Sequence, residues 1–304
     1  VSVALPRGSR LLLTGATGFL GRHILERAKD CGAEVFATCR NPPAKSGGVR
    51  WIAADLLHPE ACHGLIAEAR PTHLIHSAWI ATPGVFWASP ANADWLTAGI
   101  ALLKAFGDYG GQRFVGVGTC AEYDWSGEVF AEDRTPALPT TPYGKAKAAM
   151  ASATDAFAAR YGFSFAWGRV FLPYGPGDAP ERLVPTLLRG LLKGEDIKLS
   201  EGTQVRDFLY APDGADLIVR LAASAELGVF NVGTGVGSSV RAVAERLAQA
   251  VGRSDLLRFG ALPARAGEPD TLVADMEKVA RLVRWKPLHS LDQGLEATVA
   301  AFRT

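Results

Sequence analysis

TGATGFLG, residues 14–21, follows the apolar run RLLL (10–13) and opens the amphipathic stretch FLGRHILERAKDCG (19–32). Its three glycines, Gly15, Gly18 and Gly21, each have a mechanical task where a strand passes into a helix. One permits a tight bend, one lets bare backbone approach a pyrophosphate, and one lets the helix pack closely on the sheet. The free N–H groups and positive dipole end of that helix then hold phosphate. A glycine triplet means little alone, but this one sits after a strand and at a helix start. It predicts dinucleotide binding by Gly15, Thr17, Gly18, Phe19, Leu20 and Gly21.

Working outward, short β-rich runs alternate with helical patterns, the signature of βαβ units and a parallel sheet. The strand-like runs are RLLLTG, EVFATC, VRWIAAD, THLIHSA, RFVGVGT and FSFAWGRV. After Val170 the regularity lapses in FLPYGPGDAP, where Pro and Gly mark a loop. The expected fold class is α/β: a doubly wound parallel sheet of Rossmann type over residues 9–170, then a smaller mixed α/β substrate domain over 171–304. Some later segments are expected to return to the first domain. The opening VSVALPRGSR partly resembles a cleavage linker, so its first eight residues are left out of the expected fold.

Composition excludes several classes. The 304 residues are 48% hydrophobic and carry a formal charge of +1, which leaves no basic excess for a nucleic-acid partner. No apolar run reaches the ~20 residues of a membrane span, and the N-terminal stretch lacks a signal-peptide layout. Cys31, Cys39, Cys62 and Cys120 show no paired spacing, which points to reduced thiols, no metal site and a cytoplasmic location.

The end of the second strand bears on the cofactor. An acidic residue there binds ribose hydroxyls, whereas an arginine accommodates a 2′-phosphate. The sequence reads ATCRN (37–41), with Cys39 in place of a carboxylate and Arg40 next. NADP(H) is therefore expected over NAD(H), with Arg40 on the phosphate. Asp55 and Leu56, ending the third strand run, and Ala78, after the fourth, fall at the ligand-facing ends of a parallel sheet; Asp55 suits an adenine amino group.

TPYGKAKAAM (141–150) places Tyr143 and Lys147 four residues apart, one turn along the same helix face. By itself the pair reads as a half-buried aromatic beside a solvated cation. Beside a dinucleotide it reads as an acid, because a neighbouring cation favours the phenolate.

With TGATGFLG, Thr119 ending the fifth strand and YGKAK, the chain resembles the extended short-chain dehydrogenase/reductases, in the branch that acts on nucleotide sugars. RVFLPYGPG, QVRDFLYAPDGA and FNVGTG resemble that family's substrate-domain segments. The resemblance implies that Tyr143 exchanges the proton, Lys147 holds the nicotinamide ribose and tunes the phenol, and Thr119 bonds the reacting oxygen. It implies a nucleotide-sugar substrate bound through Thr119, Cys120, Arg182 and Arg206, the last on the diphosphate. It also implies a homodimer through the helices beginning near Ala91 and Tyr143.

The reaction depends on departures from the family pattern. The 4,6-dehydratases follow their threonine with an acidic pair; GTCAEYDW has Cys120 and Ala121 there. The position of the fucose-synthase cysteine is Ala121, so Cys120 reads as a small packing residue, and Glu122 as a solvated or structural carboxylate. What remains moves a hydride and one proton. The expected activity is NADPH-dependent 4-ketoreduction of a nucleotide-linked 6-deoxy sugar, with an NAD-dependent 4-epimerase as the alternative. A non-catalytic dinucleotide sensor or scaffold, which would lose Tyr143 and Lys147, is the third.

Overall fold

In the computed structural model, the described residues are 3–44, 47–263, 267 and 269–303. The first half alternates as its sequence predicts: β1 (Arg10–Thr14), α1 (Phe19–Ala28), β2 (Glu34–Cys39), β3 (Arg50–Ala53), α2 (Pro59–Ala69), β4 (His73–His76), α3 (Ala91–Asp108) and β5 (Arg113–Thr119). There follow β6 (Val129–Phe130), α4 (Pro142–Tyr161), β7 (Ser164–Val170), β8 (Leu172–Tyr174), α5 (Leu183–Lys193), β9 (Ile197–Lys198), β10 (Val205–Tyr210) and α6 (Ala211–Ala223). The chain continues with β11 (Gly228–Val232), β12 (Gly237–Ser239), α7 (Val240–Val251), β13 (Leu257–Arg258), β14 (Thr271–Ala274), α8 (Glu277–Leu282) and α9 (Leu291–Arg303).

Seven strands form one parallel sheet in the order β11-β7-β5-β4-β1-β2-β3. The central strands are apolar almost throughout because both sheet faces are covered; every residue of β4 and β5 is buried. One face packs on α1 and α6 through Leu11, Leu13, Ile24, Leu217 and Leu221. The opposite face packs on α2, α3 and α4 through Leu12, Ile66, Leu102, Phe106 and Met150. Thus β11 completes the main sheet and α6 covers one of its faces, although both follow the Pro/Gly-rich loop.

A smaller mixed sheet runs β12-β10-β14-β6, with β8 also on β10. Its helices α5, α7 and α9 share a separate core around Leu187, Leu191, Val243, Leu247 and Leu295. Asp207 on β10 is fully buried and ties three segments together. It accepts from the Thr234 N–H (2.8 Å) and hydroxyl (2.5 Å), the Gly235 N–H (2.9 Å) and the Ala274 N–H (3.2 Å).

One expectation is corrected here. Val3 and Leu5, set aside as linker, are buried in the core beside α1, with the Leu5 N–H on the Cys31 carbonyl and the Glu34 N–H on the Ser9 carbonyl. Apolar side chains alternating along this leg continue the sheet-side core, which the likeness to a linker obscured. All four cysteines are free, and no described helix is long and apolar enough to cross a membrane.

On the α1/α6 face, buried Asp216 accepts from Arg27 (2.7 Å), Arg220 (2.6 Å) and the Trp285 indole (2.9 Å). Burial works against its charge, but those hydrogen bonds outweigh it and hold the carboxyl below the usual carboxylate range. Asp216→Asn should lower stability by about 2–3 kcal/mol in urea unfolding at neutral pH, since it leaves arginines facing an amide. Because the folded pKa is depressed, the wild-type advantage is present above the unfolded carboxylate pKa and disappears as pH falls through the folded one.

Candidate active site

The C-terminal ends of five adjacent strands lie along one edge of the main sheet, where open α/β folds bind ligands. In spatial order they carry Thr119 on β5, Ala78 beyond β4, the Gly15–Gly21 turn beyond β1, Arg40 beyond β2 and Asp55 with Leu56 beyond β3. Neighbouring strands are ~4.8 Å apart, so this row is long enough for a ligand lying across the sheet.

The glycine turn is built from backbone contacts. Gly15 has a φ of 71°, and a Cβ there would lie 2.6 Å from the Ala78 nitrogen. At Gly21 a Cβ would lie 1.9 Å from the Gly15 carbonyl oxygen. Helix α1 begins at Phe19 and Leu20 with Gly18 as its N-cap, no capping side chain and no acidic residue in the first turn. The Thr17 and Gly18 carbonyls accept long bonds from Arg22 (both 3.4 Å). A bare, uncapped helix start with a close-packed glycine cradle fits a dinucleotide pyrophosphate. Arg40 is exposed. Asp55 accepts from the Leu57 N–H at 3.2 Å, and Leu56 beside it is buried.

Tyr143 and Lys147 lie in the first turns of α4, which Thr141 caps by accepting from the Gly144 N–H (3.1 Å) with Pro142 next. The half-buried Tyr143 ring meets Phe86 and Trp87 edge-on, at centroid separations of 4.8 and 5.6 Å. Its N–H donates to the Trp87 carbonyl (3.2 Å). Burial pushes the phenol above its ordinary pKa, while a hydrogen bond with the Thr119 side chain and, more weakly, the Arg182 charge oppose that rise. Thr119, Tyr143 and Arg182 are therefore brought together. Arg182 is the N-cap of α5, with its guanidinium 5.3 Å over Phe86.

Lys147 is buried, and among the described residues no carboxylate is bonded to it. Its Nζ donates to the Val117 carbonyl (2.7 Å) and sits 4.1 Å over the Trp79 ring. Desolvation pulls its pKa down to about 7, against the attraction of Glu122. His76, fully buried nearby, is pulled down to about 3 by burial and by Lys147, so it stays neutral.

Cys120 faces a small cluster with Tyr123, Phe130, Phe171 and Leu272, and burial pushes its thiol up to about 12. The cluster is where its side chain packs. Glu122 is not solvated: it is fully buried between Trp167 and Arg169. Arg206 lies in the smaller sheet, on β10, donating to the Val205 (2.9 Å) and Asp270 (3.3 Å) carbonyls. Sequence spacing does not foretell Trp79, Phe86, Trp87, Trp167 or Arg169 as neighbours of the site. The aromatic density of SAWIATPGVFW (77–87) is a local signal from which the first three could be found.

Because the folded pKa of Lys147 is depressed, the unfolded chain binds its proton more readily between about pH 7 and 10. Native stability contributed at this position therefore rises with pH. Lys147→Met should melt higher than wild type at pH 6–7, and the gap should shrink toward pH 10; thermal unfolding across that range measures it.

The chain is similar in sequence and fold to proteins of known activity. A UDP-glucose 4-epimerase of Corynebacterium glutamicum is 28% identical, the alignment covering 92% of each chain. The crystal structure of the Thermus thermophilus UDP-glucose 4-epimerase complexed with NAD superposes with a TM-score of 0.85 at 29% identity, over 97% of this chain and 99% of that one. The Thermotoga maritima UDP-glucose 4-epimerase with UDP-glucose gives a TM-score of 0.85 at 25% identity, over 96% of this chain and 98% of that one. The model of the NAD dependent epimerase/dehydratase family matches residues 11–233, from the first strand through the last strand of the main sheet, and the chain belongs to that family.

Proposed function

We propose that this chain is a nucleotide-sugar 4-epimerase that oxidises and re-reduces one sugar carbon over a retained NAD. The observation that carries the reading is the Tyr143 phenol beside the Thr119 hydroxyl and one turn from Lys147, with Cys120 and Ala121 where an eliminating enzyme would need acids. The similarity to named UDP-glucose 4-epimerases over about nine-tenths of both chains supports it, and favours epimerisation over the ketoreduction expected from sequence.

The cofactor would rest on Gly15, Thr17, Gly18, Phe19, Leu20 and Gly21, with Asp55, Leu56 and Ala78 along its adenosine and central parts, and Lys147 on the nicotinamide ribose. When bound, it supplies the acceptor and donor of hydride. Tyr143 takes the proton of the sugar 4-hydroxyl in the oxidative half and returns it in the reductive half. Thr119 donates to the same oxygen, where charge gathers in both transition states. Lys147 supplies positive charge that offsets the cost of a buried phenolate. Arg206 and Arg182 would bind the substrate, Arg206 through a guanidinium fork suited to diphosphate. We also propose a homodimer through α3 and α4, which pack on each other in the monomer.

A second reading, NADPH-dependent 4-ketoreduction, is favoured by one feature: exposed Arg40 follows Cys39 with no carboxylate at the end of β2. For the epimerase, NADH should bind at least as tightly as NADPH in a fluorescence titration. A clear NADPH preference that Arg40→Ala abolishes would move the assignment to the reductase.

Incubation with UDP- and dTDP-hexoses, followed by proton NMR, should show interconversion of carbon-4 epimers with no net change in reduced cofactor. Stoichiometric cofactor consumption with a 4-keto sugar nucleotide, and no epimer exchange, would overturn the proposal. Tyr143→Phe keeps the ring packing and should lower turnover by roughly 10²–10⁴-fold with cofactor affinity retained.

A further inference from the structure

Directly behind Thr119 lies a buried charge pair that the proposed chemistry does not use. Glu122 is fully buried and both its oxygens are occupied. Oε1 accepts from the Thr119 N–H (2.8 Å) and the Trp167 indole (3.0 Å). Oε2 accepts from Arg169 Nε (2.8 Å) and from the same indole (3.1 Å). Arg169, on β7, is itself buried and lies 4.2 Å over the Tyr123 ring, whose hydroxyl donates to Asn231 (2.7 Å).

The strands are shaped around this arrangement. A Cβ at Gly116 would lie 2.1 Å from Trp167, and one at Gly118 would lie 2.2 Å from the Trp167 indole nitrogen and 2.4 Å from Glu122 Oε1. Two bare positions on β5 thus make room for the indole and the carboxylate. The result is a capping box on the turn at Cys120–Glu122: Glu122 takes the Thr119 N–H, while Thr119 Oγ1 accepts from the Ala121 N–H (3.2 Å). A hydroxyl has one donor and two acceptor sites. With one acceptor site held by Ala121, the Thr119 hydroxyl keeps its donor and its other acceptor site, which the Tyr143 phenol and the Cys120 thiol share.

We propose that Glu122, held by Arg169 and Trp167, is a positioning residue that fixes the Thr119 hydroxyl against the reacting oxygen. This rests on the assignment of Thr119 and Tyr143 above. The Arg169 guanidinium and the Trp167 indole hold the Glu122 carboxylate in place, and the carboxylate in turn sets the first turn after β5. Displacing a reacting group by about 1 Å is enough to cost as much as 10²-fold in rate, so the pair acts on turnover without touching the substrate.

The test is a mutant cycle read by kcat, KM and cofactor affinity. Glu122→Asp keeps the charge opposite Arg169 but is one methylene too short to hold the Thr119 N–H as well. It should lower kcat about 10- to 100-fold, with KM and cofactor Kd unchanged. Thr119→Val should be similarly impaired, and adding Glu122→Asp to it should cost nothing further, because the two act through one hydroxyl. Wild-type kcat in folded Glu122→Asp, or additive losses in the double variant, would overturn the proposal. If Glu122→Asp does not fold, Glu122→Val with Arg169→Met removes both charges together and undergoes the same comparison; failure of both to fold would make the pair a folding determinant only, and also overturn it. Full activity in Thr119→Val would instead sink the assignment of Thr119 on which the inference stands.

Discussion

In the turn from the first strand into the first helix, Gly15 and Gly21 leave no room for a side chain. The Gly15 carbonyl occupies the space that a Cβ on Gly21 would need, and the backbone at Ala78 occupies the space of a Cβ on Gly15. This contact sets how closely α1 lies on the sheet, and therefore where its uncapped N–H groups face. It also brings the end of β4 against the end of β1, where the Ala78 N–H meets the Thr14 hydroxyl at 3.3 Å. The same hydroxyl lies 2.8 Å from His76 Nδ1. A chain of short contacts thus runs from the glycine turn toward the pocket that holds Lys147.

Around that pocket the governing quantity is desolvation. Burial lowers Lys147 and His76 and raises Tyr143, each toward its neutral form. Neutral groups tolerate a dry site; a reaction that moves protons needs them close to ionising. The Val117 carbonyl and the Trp79 face favour a charged lysine, and the Thr119 hydroxyl favours a charged phenol, each against burial. Glu122 and Arg169 differ, because each neutralises the other across a direct hydrogen bond. The site therefore contains one settled ion pair beside two groups whose charge is contested, and this separation matches their different tasks.

Much of this is legible in the residues. The glycine turn, the alternation of strands and helices, and the Tyr143–Lys147 spacing are local patterns, and local patterns survive folding. The burial of Val3 and Leu5 is not, because a short apolar leg has no period of its own and its value comes from the groove it enters. Glu122 reads equally as solvated or structural in the sequence because its partners, Trp167 and Arg169, come from a strand 45 residues away or more. The aromatic wall of Phe86, Trp87 and Trp125 is assembled from two loops, so the density of residues 77–87 hints at part of it but not at its union with Trp125. Reaction type is the least legible: an epimerase and a reductase use one set of proton and hydride groups, and Arg40 weighs more in the sequence than the full-length similarity supports.

The bond from the Tyr143 N–H to the Trp87 carbonyl has a mechanical consequence. Helix starts leave their first N–H groups without intrahelical partners, and here the segment after β4 fills one of them. That segment also lays Phe86 and Trp87 against the tyrosine ring. The loop and the helix start consequently form one rigid jaw. Swinging the loop outward would strip a hydrogen bond and two ring contacts from the tyrosine at the same moment. The opposing wall differs: there Arg182 and the start of α5 belong to the smaller sheet's helical layer and reach the jaw through the guanidinium over the Phe86 ring and its charge near Tyr143.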